Sequence, residues 1–212
     1  MRDEMMRKGQ AMMRRTRCIL TVLLGLMLAG PAWANTLSIV ADSHVLTPGA
    51  STDVSLVISG LGDGTAPSLG VFDVDVAFDA AVLNLNDVVY GDSLLGDQLD
   101  LFGLGSLTIT TNTTPGLVNV FELSFDLPDD LNDLQADTFT LATLNFTALA
   151  DGDSPLTLSV NALGDADGNP LDAAISNDSI TVEATVPEPS SLVLIGTGLA
   201  GVAGIFRRRS GK

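Results

Sequence analysis

Apolar and polar side chains alternate along most of the chain between residues 36 and 186. The period of two is clearest in five runs: 54–58, 72–78, 117–125, 156–162 and 180–186. Side chains two residues apart share one face of a strand, so this period predicts strands with one buried face. On this basis Phe121, Leu123 and Phe125, which share a face with Leu117, are expected to be buried.

Turn-forming residues separate these runs. Clusters of Gly, Asn, Asp and Pro lie at 61–68, 111–116, 151–155 and 164–170. Along Thr138–Ala148 the apolar positions change parity, which either a β-bulge or burial of both faces would explain. Short helical turns are predicted only at Leu94–Leu101 and Pro128–Leu134. Many short strands with so little helix predict an all-β fold, an antiparallel β-sandwich.

The N-terminus has the three parts of a secretory signal. Residues 1–17 are basic, residues 19–29 are apolar, and Ala32 and Ala34 supply the small residues that signal peptidase recognises. The apolar run is too short for a stable membrane anchor. We predict export by the general secretory route, with cleavage after Ala34.

The C-terminus carries a second apolar segment. Fifteen apolar or small residues, 192–206, precede Arg207, Arg208 and Arg209. As a helix they would rise about 22 Å against a hydrocarbon core of about 30 Å, so they would span with help from their flanks. Arginines stay on the cytoplasmic side, so a transmembrane helix here places the preceding residues outside. A plain tail anchor is the alternative.

Pro187, Glu188 and Pro189 stand directly before this segment. The triplet, the short apolar helix and the terminal arginines together resemble the PEP-CTERM sorting signal. The resemblance implies recognition by an exosortase-like membrane protease, transient anchoring in the inner membrane, and release to the cell surface or extracellular matrix. It also implies an exopolysaccharide context. The expected organisation is a signal peptide at 1–34, one domain at 35–185 and a sorting tail at 186–212.

Charge is distributed very unevenly. There is no Lys or Arg between residues 35 and 206, whereas 23 acidic residues lie in 35–186, of which 21 are Asp. A domain without basic side chains cannot neutralise a phosphate backbone, which excludes nucleic acid as a partner. Nucleotide binding is excluded too, since no Gly-rich loop is followed by Lys.

A second resemblance concerns the middle of the chain. The residues that carry it are Leu37–Val40, Pro48-Gly49, Val54–Gly60, Gly70–Asp79, Val82-Leu83 and Phe139–Phe146. They resemble strands of cohesin domains, and the resemblance extends over about 36–185. It implies a nine-stranded jelly-roll sandwich of a superfamily whose members bind dockerin modules and whose distant relatives bind carbohydrate. It assigns no contact residue here.

No catalytic constellation is evident. Asp42, Ser43 and His44 are adjacent on a strand and cannot converge as a triad. Glu122 and Glu183 are expected on polar, outward strand faces, and no pair of carboxylates is marked as facing across a cleft. We therefore expect a protein that is not an enzyme.

Calcium is the one candidate cofactor. Asp165, Asp167 and Asn169 place three oxygen ligands two residues apart, with Asp172 nearby. Pro170 stands where an EF-hand needs Gly, so the alternatives are a simpler calcium-stiffened turn or ordinary turn chemistry.

Three functions follow in order of preference. The first is a structural or adhesive module of the extracellular matrix. The second is a protein-binding module of cohesin type. The third is a carbohydrate-binding module, which is disfavoured because Tyr90 is the only Trp or Tyr left after Trp33 departs with the signal.

Overall fold

The computed structural model describes residues 35–184. Within that range the chain forms eleven strands and one short helix: β1 (Asn35–Ala41), β2 (Val45–Leu46), β3 (Ser51–Ser59), β4 (Leu69–Ala77), β5 (Leu83–Tyr90), β6 (Ser106–Thr114), β7 (Leu117–Ser124), α1 (Pro128–Leu134), β8 (Thr138–Ala148), β9 (Gly152–Asp165), β10 (Ala173–Ser176) and β11 (Asp178–Val182). The predicted signal peptide and the predicted span at 192–206 lie outside the described residues. Among those described, no helix is long and apolar enough to cross a membrane.

The strands form two sheets that pack face to face. One has the order β10-β1-β3-β8-β5 and the other the order β2-β11-β9-β4-β7-β6. Neighbouring strands run antiparallel except for two short parallel pairings, β1 with β10 and β11 with β2. The predicted all-β sandwich is therefore confirmed. It has more strands than the nine implied by the cohesin resemblance, because short strands cover sheet edges.

The core lies between the sheets and consists of aliphatic and phenylalanine side chains from alternate strand positions. Phe72, Phe139 and Phe146 are its largest fully buried members. Phe78 packs edge-on against Phe146 with ring centroids 5.0 Å apart, and aromatic pairs of this kind add to the stabilisation from area burial. Both sheets and this core lie within 35–184, so this segment carries what it needs to fold independently.

Two local predictions concerned departures from regular structure. The parity change in β8 is a β-bulge, since Leu56 pairs with Ala142 and the next residue, Val57, pairs with Thr140. α1 forms at Pro128–Leu134 as predicted. Leu94–Leu101 is not helical. Its turns are held by Asp92 Oδ1, which accepts from the N–H groups of Leu94 and Leu95 at 2.8 and 3.0 Å.

The two ends of the sandwich differ in what they carry. Asp92 Oδ2 accepts from Thr140 N at 3.0 Å, so the loop 91–105 lies at the end where β8 begins. β11 finishes opposite Gly152, just beyond the other end of β8. The chain therefore leaves the sandwich, toward the sorting tail, at the end opposite the loop 91–105.

Candidate interaction surface

The outer face of β7 carries the first feature of the candidate site. Val118, Val120 and Glu122 are the buried side chains of this strand, while Phe121 and Leu123 are half-buried on the solvent side. The prediction that Phe121, Leu123 and Phe125 are buried was therefore wrong. Phe125, just beyond the strand, is 57% exposed.

Strand register places further apolar side chains beside these. Leu107 of β6 pairs with Leu123, which pairs with Val71 of β4, and Ile109 pairs with Phe121. Directly paired residues lie on the same side of a sheet. We name this set the apolar face: Val71, Leu107, Ile109, Phe121 and Leu123. Leu107 and Ile109 are 43% and 45% exposed, so the face is accessible to a partner.

Polar side chains border the apolar face along β4. Asn119 Nδ2 donates to Asp73 Oδ1 at 2.6 Å and to Asp75 Oδ1 at 2.9 Å. Asn161 Nδ2 adds a bond to Asp73 Oδ1 at 3.2 Å. These side chains are held in place by uncharged donors, so the border offers fixed acidic sites for basic groups.

Three residues of the apolar face, Leu107, Ile109 and Phe121, lie in the longest charge-free stretch of the described chain. The 21 residues from Leu101 to Phe121 contain no Asp, Glu, Lys, Arg or His. Elsewhere in 35–184 there are 23 acids, so this gap in the charge pattern is local to β6 and most of β7. Depletion of charge at a centre with a polar rim is the composition of protein-binding patches.

A buried carboxyl lies behind the apolar face. Glu122 is fully buried, contrary to the outward position predicted for it; Ser106 Oγ donates to its Oε1 at 2.6 Å and its Oε2 has no partner. Desolvation, together with the nearby carboxylates of Asp97 and Asp100, raises the pKa of Glu122 from 4.5 to about 8. At neutral pH it is therefore a neutral acid within the core of the sandwich.

The single histidine has a carboxylate partner. His44 Nε2 lies 3.1 Å from Asp178 Oδ2, and the imidazole is exposed. Asp42, Ser43 and His44 lie in the turn between β1 and β2 and not on a strand as predicted. The partner of His44 is Asp178 and not the adjacent Asp42. A lone His–Asp pair on the surface supplies no nucleophile, so this pair gives no support for hydrolysis. That the domain lacks enzymatic activity stays a prediction.

The turn proposed to bind calcium is held by its own hydrogen bonds. The backbone N–H of Asn169 donates to Asp165 Oδ1 at 2.7 Å, and its side-chain amide donates to Asp165 Oδ2 at 3.0 Å. Burial alone would raise the pKa of Asp165, but hydrogen bonds from Asn169, Asp167 and Gly168 outweigh it and lower the pKa. Asp167 and Asp172 are both exposed.

Calcium binding there stays a prediction. Among residues 35–184, no group of three or more His, Cys, Asp and Glu side chains is positioned to hold a metal ion. Because Asn169 already donates to both oxygens of Asp165, a calcium ion would have to displace it. If calcium binds, adding it to chelated protein raises the Tm of the wild type but not of Asp167→Ala. Equal behaviour of the two proteins in a thermal scan would remove calcium from the account.

The other predicted site residues lie outside the described part of the chain. They are Ala32 and Ala34 at the signal cleavage site, and Pro187, Glu188, Pro189, Arg207, Arg208 and Arg209 in the sorting tail. Comparison with known families supports the tail. Residues 185–209 match the model described as the PEP-CTERM protein-sorting motif. The motif implies an exported protein that is transiently anchored in a membrane. No curated protein matches the sequence.

The sandwich is similar to solved cohesin domains. One is the sixth cohesin of scaffoldin B from Acetivibrio cellulolyticus, solved with a mutant Cel5 dockerin, with 21% identity, a TM-score of 0.55 and coverage of 71% of this chain and 99% of that one. Another is CaCohA2 from Clostridium acetobutylicum, with 23% identity, a TM-score of 0.54 and coverage of 73% of this chain and 95% of that one. A third is a non-cellulosomal cohesin from the hyperthermophilic archaeon Archaeoglobus fulgidus, with 20% identity, a TM-score of 0.52 and coverage of 71% of this chain and 92% of that one. At these identities the likeness establishes a cohesin-like fold.

Proposed function

We propose that this protein is an exported, non-enzymatic protein-binding module that the sorting tail delivers to the cell surface or extracellular matrix. The apolar face is its binding surface. The observation that carries the proposal is an accessible apolar face free of charge within a domain that has 23 acids and no Lys or Arg in 35–184. The cohesin-like fold supports it, since solved relatives include complexes with dockerins.

The chemistry of the partner follows from the border of the apolar face. Asp73 and Asp75 lie beside it and the whole described domain is acidic. A partner with an apolar centre and a basic rim would bury Leu123 and Phe121 and pair its cations with these carboxylates. Because the attraction between opposite charges is screened by salt, binding should weaken as ionic strength rises.

A role in an exopolysaccharide matrix belongs to the proposal only as the setting. The sorting tail supports that setting, whereas the described domain offers no Trp and only Tyr90 as an amphipathic ring. The oxygen of that ring contacts the Ile109 carbonyl and the Thr110 hydroxyl at 2.9 Å. Retention on the producer's polysaccharide, blocked by free sugar, would favour a carbohydrate-binding module instead.

A charge introduced into the apolar face tests the proposal. We expect Leu123→Asp to lower affinity for the natural partner by about tenfold or more, because it buries an unpaired charge at the centre of the interface. Val89→Asp is the matched control, since Val89 is 59% exposed on β5 of the other sheet. Segment 35–184 of the wild type and of each variant is titrated against the partner by calorimetry. A Tm equal to that of the wild type confirms first that each variant is folded.

The partner itself is found by differential capture. Surface and matrix proteins of the producing cells are passed over the wild type and both variants. The partner is identified by three results. The wild type and Val89→Asp retain it, Leu123→Asp does not retain it, and salt elutes it. This protein is then used for the titration. Equal retention by all three domains would show that the apolar face is not the binding surface.

A further inference from the structure

One of the four sheet edges lacks protection against pairing with another molecule. β2 and β10 are edge strands of only two and four residues. β5 carries Asp87 and is interrupted by a register shift between Leu85 and Asp87. Short length, charge and bulges are the means by which proteins prevent edge strands from pairing. β6 is nine residues long and contains no charge, Pro or Gly, and its register shift, between Thr111 and Thr114, leaves 106–111 paired without interruption.

The sequence of β6 favours strand formation on both of its sides. Its residues are Ser, Leu, Thr, Ile and Asn, with five Thr among nine, and β-branched residues are favoured in strands. β7 pairs with the backbone N–H and C=O groups on one side of β6, and no strand of the described chain lies on the other side. Tyr90, on β5 of the opposite sheet, fixes the strand through its contact with the Ile109 carbonyl. The open side of β6 is thus a preformed strand edge that a further strand can pair with.

A second copy of the same strand complements this edge. In an antiparallel pairing with its twofold axis at Thr108, Leu107 lies opposite Ile109 of the second copy and Thr108 lies opposite itself. Leu107 and Ile109 are on the outer side of the sheet, so their cross-strand pairs join the two apolar faces across the axis. Aliphatic pairs and a Thr–Thr pair are favourable neighbours in antiparallel sheets.

Electrostatics selects β6 as the place where two such acidic domains can meet. The described part of each copy carries 23 acids without Lys or Arg, so copies repel one another over most of their surface. The charge-free stretch Leu101–Phe121 contains the whole of β6. Contact at this edge brings no carboxylate of either β6 strand against the other.

We propose that the protein self-associates through antiparallel pairing of β6 with β6 of a second copy about an axis at Thr108. The two six-stranded sheets become one twelve-stranded sheet. The contact is isologous and closes as a dimer, and it requires no other protein. It is weak at low salt, where the two acidic domains repel, and strengthens as salt screens that repulsion. Binding of the basic partner proposed above has the opposite salt dependence.

A single cysteine tests the pairing and its register. The only Cys of the chain is Cys18, so segment 35–184 has no thiol of its own. Opposed residues of antiparallel strands have Cα atoms about 4.5 to 5.5 Å apart, within the range of a disulfide. We expect Thr108→Cys to form a disulfide-linked dimer in mild oxidant much faster than Thr110→Cys, whose two copies would lie about 13 Å apart. Thr157→Cys, exposed on the inner strand β9, measures random collision.

Analytical sedimentation of segment 35–184 without any introduced cysteine measures self-association directly and completes the test. The wild type should show a monomer–dimer equilibrium that shifts toward dimer with concentration and with salt, and Ile109→Asp should sediment as a monomer with unchanged Tm. Thr108→Cys cross-linking no faster than Thr157→Cys, or a wild type that stays monomeric at high salt, would overturn the proposal. Faster cross-linking of Thr110→Cys would overturn the register. None of these outcomes bears on capture of a partner by Leu123.

Discussion

Replacing Pro187, Glu188 and Pro189 together by alanine should keep the protein in the membrane at its full C-terminal length. The wild type should be recovered from the cell surface or medium without its tail. The physical reason is that each proline fixes φ and forces the residue before it out of the helical region. We therefore expect the triplet to favour an extended segment before the predicted apolar helix, the shape that a protease binds, and alanines in its place to favour continuation of that helix.

Intact mass of protein from membrane, surface and medium fractions measures this effect. Ser190→Ala with Ser191→Ala is the matched control, since it alters neighbouring residues and leaves the prolines in place. Both variants should begin at Asn35, which separates tail processing from signal cleavage. Retention of the tail by the wild type as well would identify an ordinary membrane-anchored domain, whose partners are then to be sought at the membrane surface.

The fold was predictable because its signal is repeated many times. Alternation of apolar and polar residues in separate runs predicted strands. The parity change in Thr138–Ala148 left a β-bulge and burial of both faces as alternatives, and the register of Leu56 and Val57 shows the bulge. The edge strands β2 and β10 were missed, since two to four residues contain no measurable period. Their pairing is decided by neighbours that are distant in the sequence.

The face of β7 was assigned wrongly for a physical reason. Phe121 and Leu123 are larger and more apolar than Val118 and Val120, so hydrophobicity alone favours burying the phenylalanine face. The structure instead buries the valines together with Glu122. A period of two determines which residues share a face and not which face points inward. The charge-free stretch Leu101–Phe121 was readable from the sequence, but its meaning depends on β6 being an edge strand.

The prediction of a calcium turn and the search for catalytic residues depended on spacing in the sequence alone. Asp165, Asp167 and Asn169 do come together at one turn, but Asn169 donates to the carboxylate that a cation would use. His44 meets a carboxylate 134 positions away, Asp178, which no local motif reveals. Contacts between residues so distant in sequence follow from sheet order, and a single sequence contains no direct record of it.

Glu122 is expected to give the domain a stability that falls as pH rises. Its pKa is raised from 4.5 to about 8 in the folded protein by burial and by Asp97 and Asp100. Between these values the folded domain keeps a proton that the unfolded chain releases. The free energy of unfolding therefore decreases from about pH 4.5 to about pH 8 and stays low above it. At about 1.4 kcal/mol per pKa unit, the loss is at most a few kcal/mol.

Glu122→Gln should remove this slope, because the amide has the shape of the neutral acid and cannot ionise. Its Oε1 can still accept from Ser106. We expect the variant to match the wild type near pH 4 and to have a clearly higher Tm at pH 9. Glu183→Gln, which changes an exposed carboxylate, should follow the wild type at both pH values. Since all three domains share the remaining acids, the difference between their thermal scans isolates Glu122. Parallel curves for Glu122→Gln and wild type would mean that the buried carboxyl is ionised in the folded domain.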